Sequence, residues 1–188
     1  MNEKKVYKII SLSKSSGGLS SLFSMNCKRF DSIRPYESRY HIGIDYYSKD
    51  IKLLNGPQVT LHFWNVFFQA RFNFFLEKLV KDADAGLLMF DTTNKNSLYN
   101  IEMYISIFRG HDPLLPIILL GNKAELMVKR LIEQEYLEKY LSRNNITRYY
   151  EISVKEDSKK KIEELFSDLA HLIFNRASNM KKIKIKIK

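Results

Sequence analysis

The chain has a single cysteine, Cys27, among its 188 residues. One thiol excludes an internal disulfide framework and fits a reducing compartment. Long apolar runs are missing too: none approaches the roughly 18–20 residues that a membrane-spanning helix needs. The opening residues, Met1-Asn2-Glu3-Lys4-Lys5, carry no apolar core of the kind that directs export, so a cytoplasmic protein is expected, at most peripheral to a membrane. Hydrophobic residues make up 45% of the chain and charged residues 28%, a balance that argues for a folded globular protein over a disordered one. The length fits one domain with a sizeable core.

The net charge of +10 is concentrated at one end, where Lys181, Lys182, Lys184, Lys186 and Lys188 are five of the last eight residues. This divides the chain into a domain over residues 1–177 and a basic, disordered tail over 178–188. Such a tail attracts anionic lipid at about 1 kcal/mol per Lys near the surface. It also attracts nucleic-acid phosphates without sequence preference, or stays solvated. No specific nucleic-acid partner is expected.

The apolar pattern alternates between strand and helix. Val6 to Leu12 reads as a buried strand, and Gly18 to Lys28 as a helix with Leu19, Leu22, Phe23 and Met25 as its apolar positions. Asp31 to Tyr40 is polar, contains Pro35 and reads as a loop. Ile42 to Leu54 and Val59 to Asn65 flank the turn residues Asn55-Gly56-Pro57 and predict an antiparallel hairpin. Phe72 to Lys81 is a short helix and Ala85 to Asp91 a strand. Ser97 to Phe108 is a helix with Leu98, Ile101, Ile105 and Phe108 on one face. Pro113 and Pro116 precede the strand Ile117 to Leu120. A helix near Leu131 to Leu141, a strand from Arg148 to Ile152 and a helix from Lys159 to Arg176 complete the chain. That last helix places Ile162, Leu165, Phe166, Leu169 and Ile173 at helical spacing. Alternation of this kind implies a mostly parallel sheet covered on both faces. Ligands on such sheets bind beyond the carboxyl ends of the strands.

Six sequence blocks lie at or near those ends. They are Lys8-Ile9-Ile10 with Ser13-Lys14-Ser15-Ser16-Gly17-Gly18-Leu19-Ser20-Ser21-Leu22; His41-Ile42-Gly43-Ile44-Asp45-Tyr46; Leu61-His62-Phe63-Trp64-Asn65-Val66-Phe67-Phe68-Gln69-Ala70-Arg71-Phe72; Phe90-Asp91-Thr92-Thr93-Asn94-Lys95-Asn96-Ser97-Leu98; Gly121-Asn122-Lys123-Ala124-Glu125; and Glu151-Ile152-Ser153-Val154-Lys155. In this order they resemble the Ras superfamily of small GTPases, closest in texture to its Rab-like members, from about Lys5 to Asn175.

The resemblance implies a Ras-like P-loop NTPase fold. Its sheet would have six mostly parallel strands, with one antiparallel edge pair from the 42–65 hairpin and about five flanking helices. It implies GTP or GDP as ligand, with Asn122, Lys123 and Glu125 joined by Ser153, Val154 and Lys155 to read guanine. In that family the Asn orients the ring, the Lys stem lies over it, and the carboxylate accepts from N1–H and the exocyclic amine. Adenine has no donor at N1 and would leave that acceptor buried and unpaired, at a cost of roughly 1–3 kcal/mol. The phosphate positions fall on Lys14, Gly17, Gly18, Leu19, Ser20 and Ser21, with Ser20 the candidate metal ligand. Gln69 stands where the water-orienting glutamine belongs.

The phosphate side departs from the family pattern. A P-loop uses a Lys on the β/γ-phosphates and a hydroxyl on Mg²⁺, and here Leu19 replaces that Lys. Lys14 enters the loop from its other end, as a substitute cation or as a solvated surface lysine. His41 takes the place of the switch I Thr, and a neutral imidazole suits magnesium poorly. Asn65 replaces the magnesium-linked Asp, and Phe68 replaces the Gly that meets the γ-phosphate. A glutamine without metal, lysine or γ-phosphate contact has little transition state to stabilise, so Gln69 is expected to be vestigial. Three lost charged contacts at about 1.5–3 kcal/mol each predict weakened nucleotide binding, a poor magnesium site and impaired or absent hydrolysis. Partner binding then becomes the expected role, as in signalling or membrane traffic, through an effector on the switch surface around Phe67, Phe68 and Phe72. A nucleotide-free scaffold is the alternative, and an active GTPase using Lys14 and Gln69 is a third. The relatives' tails carry prenylated cysteines, which residues 178–188 do not, so any contact with an anionic membrane is expected to be weak and salt-sensitive.

Overall fold

The computed structural model describes residues 5–13, 18–33, 43–67 and 73–186. In chain order the strands are β1 (Lys5–Ser13), β2 (Lys28–Ile33), β3 (Gly43–Lys52), β4 (Gln58–Phe67), β5 (Ala85–Asp91), β6 (Ile117–Asn122) and β7 (Arg148–Glu151). The helices are α1 (Leu19–Asn26), α2 (Asn73–Leu79), α3 (Lys95–His111), α4 (Gln134–Arg143) and α5 (Lys159–Lys186), with a 3-10 segment over Ala124–Lys129.

The strands form one sheet in the order β2-β3-β4-β1-β5-β6-β7. From β4 to β7 every pairing is parallel. Two pairs are antiparallel, β2 with β3 and β3 with β4. The expected six strands are therefore seven, and the 42–65 hairpin is one position in from the edge. The extra strand comes from Lys28-Arg29-Phe30-Asp31-Ser32-Ile33, of which Lys28 is read above as a helix end and Asp31 to Ile33 as the start of a loop. Its charged residues suit an edge strand, which must discourage further pairing, and a register shift between Arg29 and Asp31 breaks its alternation. Helix α5 also runs ten residues past the Arg176 end that its apolar spacing predicts.

Strands β5 and β6 are buried at every position, which explains their unbroken apolar sequences. On one face of the sheet, α1 and α5 close a core in which Phe63 lies 4.6 Å from Phe23 and 5.5 Å from Phe166 between ring centres. On the other, Leu76 of α2, Phe108 of α3 and Leu137 of α4 cluster with Ile10, Leu88 and Leu119 of the sheet. The apolar positions expected on α5, from Ile162 to Ile173, are all buried. Each fully buried Leu, Ile or Phe contributes about 1.5–3 kcal/mol. These two layers hold the strand ends, and hence the loops beyond them, in fixed relation.

Candidate functional site

At the end of β6 the backbone turns sharply: Lys123 has φ 68° and ψ 37°, left-handed values unusual outside glycine. Strain of this kind persists only where the surroundings over-determine it, and here they do. Asn122 is 5% exposed, and its Oδ1 accepts from the Val154 N–H at 3.0 Å. The Ala124 N–H donates to the Ile152 carbonyl at 3.1 Å, and the Leu126 N–H to that of Lys123 at 2.9 Å. Ser153 is buried; its Oγ accepts from the Glu156 N–H at 2.9 Å, while its own N–H donates to Asp157 at 2.8 Å. The two loops are thus one hydrogen-bonded unit. It joins Asn122, Lys123 and Glu125 to Ser153 and Val154, with Lys155 exposed beside them.

The β5 loop supports this unit. Lys123 Nζ pairs with Asp91 Oδ2 at 2.5 Å, and the Thr92 hydroxyl donates to the Asn122 carbonyl at 3.0 Å. Burial raises the Asp91 carboxyl, but hydrogen bonds from Lys123 and Thr93 outweigh it and hold the group below its ordinary range. Sequence reading placed Asp91 and Thr92 in a matching block without giving them a role. Their partners lie about 30 residues away, so only the tertiary structure could assign one. Glu125 differs from its neighbours, because its Oε2 is buried and has no hydrogen-bond partner among the described residues. An acceptor so placed is costly unless something donates to it. A guanine edge, with adjacent N1–H and amine donors, is chemically suited to do so.

The phosphate end is built differently. Gly18, at φ 95°, begins α1, and a Cβ there would collide with Asn122 Nδ2, so the two ends touch through a glycine. Leu19 is 1% exposed and packs into the core with Leu22 and Phe23. Ser20 and Ser21 are exposed on α1. Asn65, 3% exposed, donates from Nδ2 to Ser20 Oγ at 3.0 Å. Asp45, the cross-strand partner of Asn65, is paired with Arg29 at 2.8 Å. Magnesium takes oxygen ligands, usually including one or two carboxylates. Here the hydroxyl faces an amide N–H, and the Asp45 carboxylate across from Asn65 is held by a cation. No cluster of three His, Cys, Asp or Glu suited to a metal occurs among the described residues. The described residues of this end do not fit magnesium.

Lys14, Gly17, His41, Phe68, Gln69 and Phe72, and the side chain of Phe67, lie outside the described residues. Among the described residues, Phe30, Tyr46, His62 and Trp64 form an aromatic strip along β2, β3 and β4. Ring centres are 5.9 Å apart for Phe30 and Tyr46, 5.4 Å for Phe30 and His62, and 4.9 Å for Tyr46 and Trp64. Phe30 is 52% exposed, and Lys8 Nζ lies 4.5 Å from the Trp64 ring centre. Sequence reading left Phe30 unassigned between a helix ending at Lys28 and a loop starting at Asp31, and so missed the strip. Cys27 carries no chemistry here, because burial pushes its thiol up to about 12.

Paired loops at the carboxyl ends of a doubly covered sheet, one carrying Asn-Lys-x-Glu and the other Ser-x-Lys, define a nucleotide-binding α/β protein of the Ras-like class. The chain belongs to the Ras family, whose model matches residues 8–175, and within it is a Rab-like small GTPase. It is 26% identical to Ras-related protein Rab-7a of Paramecium octaurelia over 174 residues, 89% of this chain and 81% of that protein. It is 32% identical to the human Ras-related protein Rab-40A-like over 142 residues, 74% of this chain but 50% of that protein. With human Ras-related protein Rab-39A the identity is 28% over 153 residues, 78% of this chain and 67% of the relative. The chain thus spans about half the length of its Rab-40 relative. Membership implies GTP or GDP binding, with magnesium, and the binding of effectors as general properties of the family. No helix among the described residues is long and apolar enough to cross a membrane.

Proposed function

We propose that this protein is a Rab-like G domain that still recognises guanine but holds the phosphates weakly. It hydrolyses GTP little or not at all and acts by binding partners, as in signalling or membrane traffic. The single observation that carries the reading is the buried, unpartnered Glu125 Oε2 beside the knitted Asn122–Val154 loops. A carboxylate oxygen kept dry and unpaired makes sense where a ligand supplies the donors. The weak phosphate hold follows from Leu19 turned into the core and from Asn65 facing Ser20 where a carboxylate and a metal would act. Phosphoryl transfer is catalysed by charge and positioning, and the described residues of this end offer little of either.

The partner surface in this reading is the switch region around Phe67, Phe68 and Phe72 expected from the sequence, together with the aromatic strip Phe30–Tyr46–Trp64 with His62. It fits a protein partner that presents apolar side chains, since aromatic side chains with polar tips are favoured at interfaces. A weak, salt-sensitive contact of the basic tail with anionic membrane is compatible with it. Thermal-shift measurements with GTP, GDP, ATP and no ligand test the nucleotide half. A rise with the guanine nucleotides alone is expected, and no rise with any of them removes it in favour of the nucleotide-free scaffold. Phosphate release from GTP tests the catalytic half, with none above background expected.

A further inference from the structure

We infer that the ligand of this site is the guanine nucleoside itself, bound without magnesium and almost without regard to how many phosphates it carries. The inference rests on the guanine recognition proposed above and extends it to the class of ligand.

The base end has every feature that discrimination needs. A carboxylate oxygen is buried and unpartnered among the described residues. The Asn122 side chain is fixed by the Val154 N–H, the Asn122 carbonyl by the Thr92 hydroxyl, and the Lys123 ammonium by Asp91. All of this is in place before a ligand arrives, so little ordering is needed on binding.

Phosphate binding would need cations, and the described residues at that end present them already engaged. Lys123 is paired with Asp91 and Arg29 with Asp45. The position of the family's phosphate lysine is filled by Leu19, whose side chain is buried in the apolar core. The seat of the metal is closed by a neutral pair, the Asn65 amide donating to Ser20 Oγ at 3.0 Å. A divalent cation there would meet the N–H of that amide, or displace a bond that links β4 to α1. Among the described residues, what remains is the first turn of α1, where the Leu19, Ser20 and Ser21 N–H groups precede the first helical bond, from Leu22 to Gly18. A helix N-terminus favours a negative group, so one phosphate is tolerated and mildly preferred. It does not distinguish a second or third. Such a site follows the supply of guanine compounds and is blind to the GTP/GDP ratio.

Calorimetry on the full chain with guanosine, GMP, GDP, GTP and ATP, each in magnesium and in EDTA, tests this. Guanosine is expected to bind within about tenfold of GTP. EDTA should leave every affinity unchanged, and ATP should not bind. Glu125→Gln should weaken guanosine and GTP by the same factor, tenfold or more, because the lost contact is to the base. GTP binding more than tenfold tighter than guanosine, or binding abolished by EDTA, overturns the inference and leaves guanine recognition standing. Absence of binding by every guanine compound overturns both.

Discussion

The base end and the phosphate end of this site lie together at the carboxyl ends of the strands and touch at Gly18 and Asn122, yet they differ in what their polar groups do. At the base end, side chains bind backbone across long sequence separations and still leave one carboxylate oxygen without a donor. At the phosphate end, the groups that would meet charge are apolar, neutral or matched with each other. A site keeps unsatisfied polarity where a ligand will satisfy it, and a fold lacking that ligand closes polarity on itself. Family membership alone would assign both ends the same purpose; the hydrogen bonds separate them.

The largest effect should come from forcing the phosphate end back toward its relatives. Leu19→Lys removes a buried apolar side chain and puts an ammonium in the core, so urea unfolding should show a loss of about 2–4 kcal/mol. Affinity for GTP should not rise in compensation while Asn65 is retained. Next is Asn122→Ala, which leaves the Val154 N–H without its acceptor. It should cost about 1–3 kcal/mol by the same measurement and abolish any melting-temperature rise with guanine nucleotides.

A smaller change, near 1 kcal/mol, is expected for Asp91→Asn, because Lys123 is a third exposed and screened by water. Its pH dependence has a definite sign. The folded Asp91 carboxyl lies below its ordinary value of about 4, so the stability it adds is present above that pH. It is lost as pH falls through the lower, folded value. Melting curves from pH 7 to pH 3 should therefore show wild type and variant apart at neutral pH and converging in acid. The smallest effect is expected for Glu125→Gln without ligand. Stability should stay within about 0.5 kcal/mol, because Oε2 has no partner to lose, while guanine binding weakens by roughly tenfold or more. A large destabilisation would show that the carboxylate serves the fold and would erase the contrast between the two ends.

Much of this was legible in the chain itself. The apolar runs Leu87 to Phe90 and Ile117 to Leu120 declared buried strands, because both faces of a parallel strand are covered. The α5 spacing declared one buried helix face for the same reason. Asn122, Lys123 and Glu125 stood out because a motif is local. Phe30 did not, because a charged edge strand and a polar loop have the same composition, and only pairing with β3 tells them apart.

Composition and order by themselves determined the fold class, the family and the absence of a lysine at position 19. Whether that absence mattered was decided by the tertiary structure. Burial turned Leu19 into the core, cross-strand neighbours gave Asp45 to Arg29, and the packing of α1 on β4 set Asn65 against Ser20. The reason is physical. Residue identity fixes which groups carry charge or hydrogen-bonding capacity, while only their separation in space fixes whether that capacity is already satisfied.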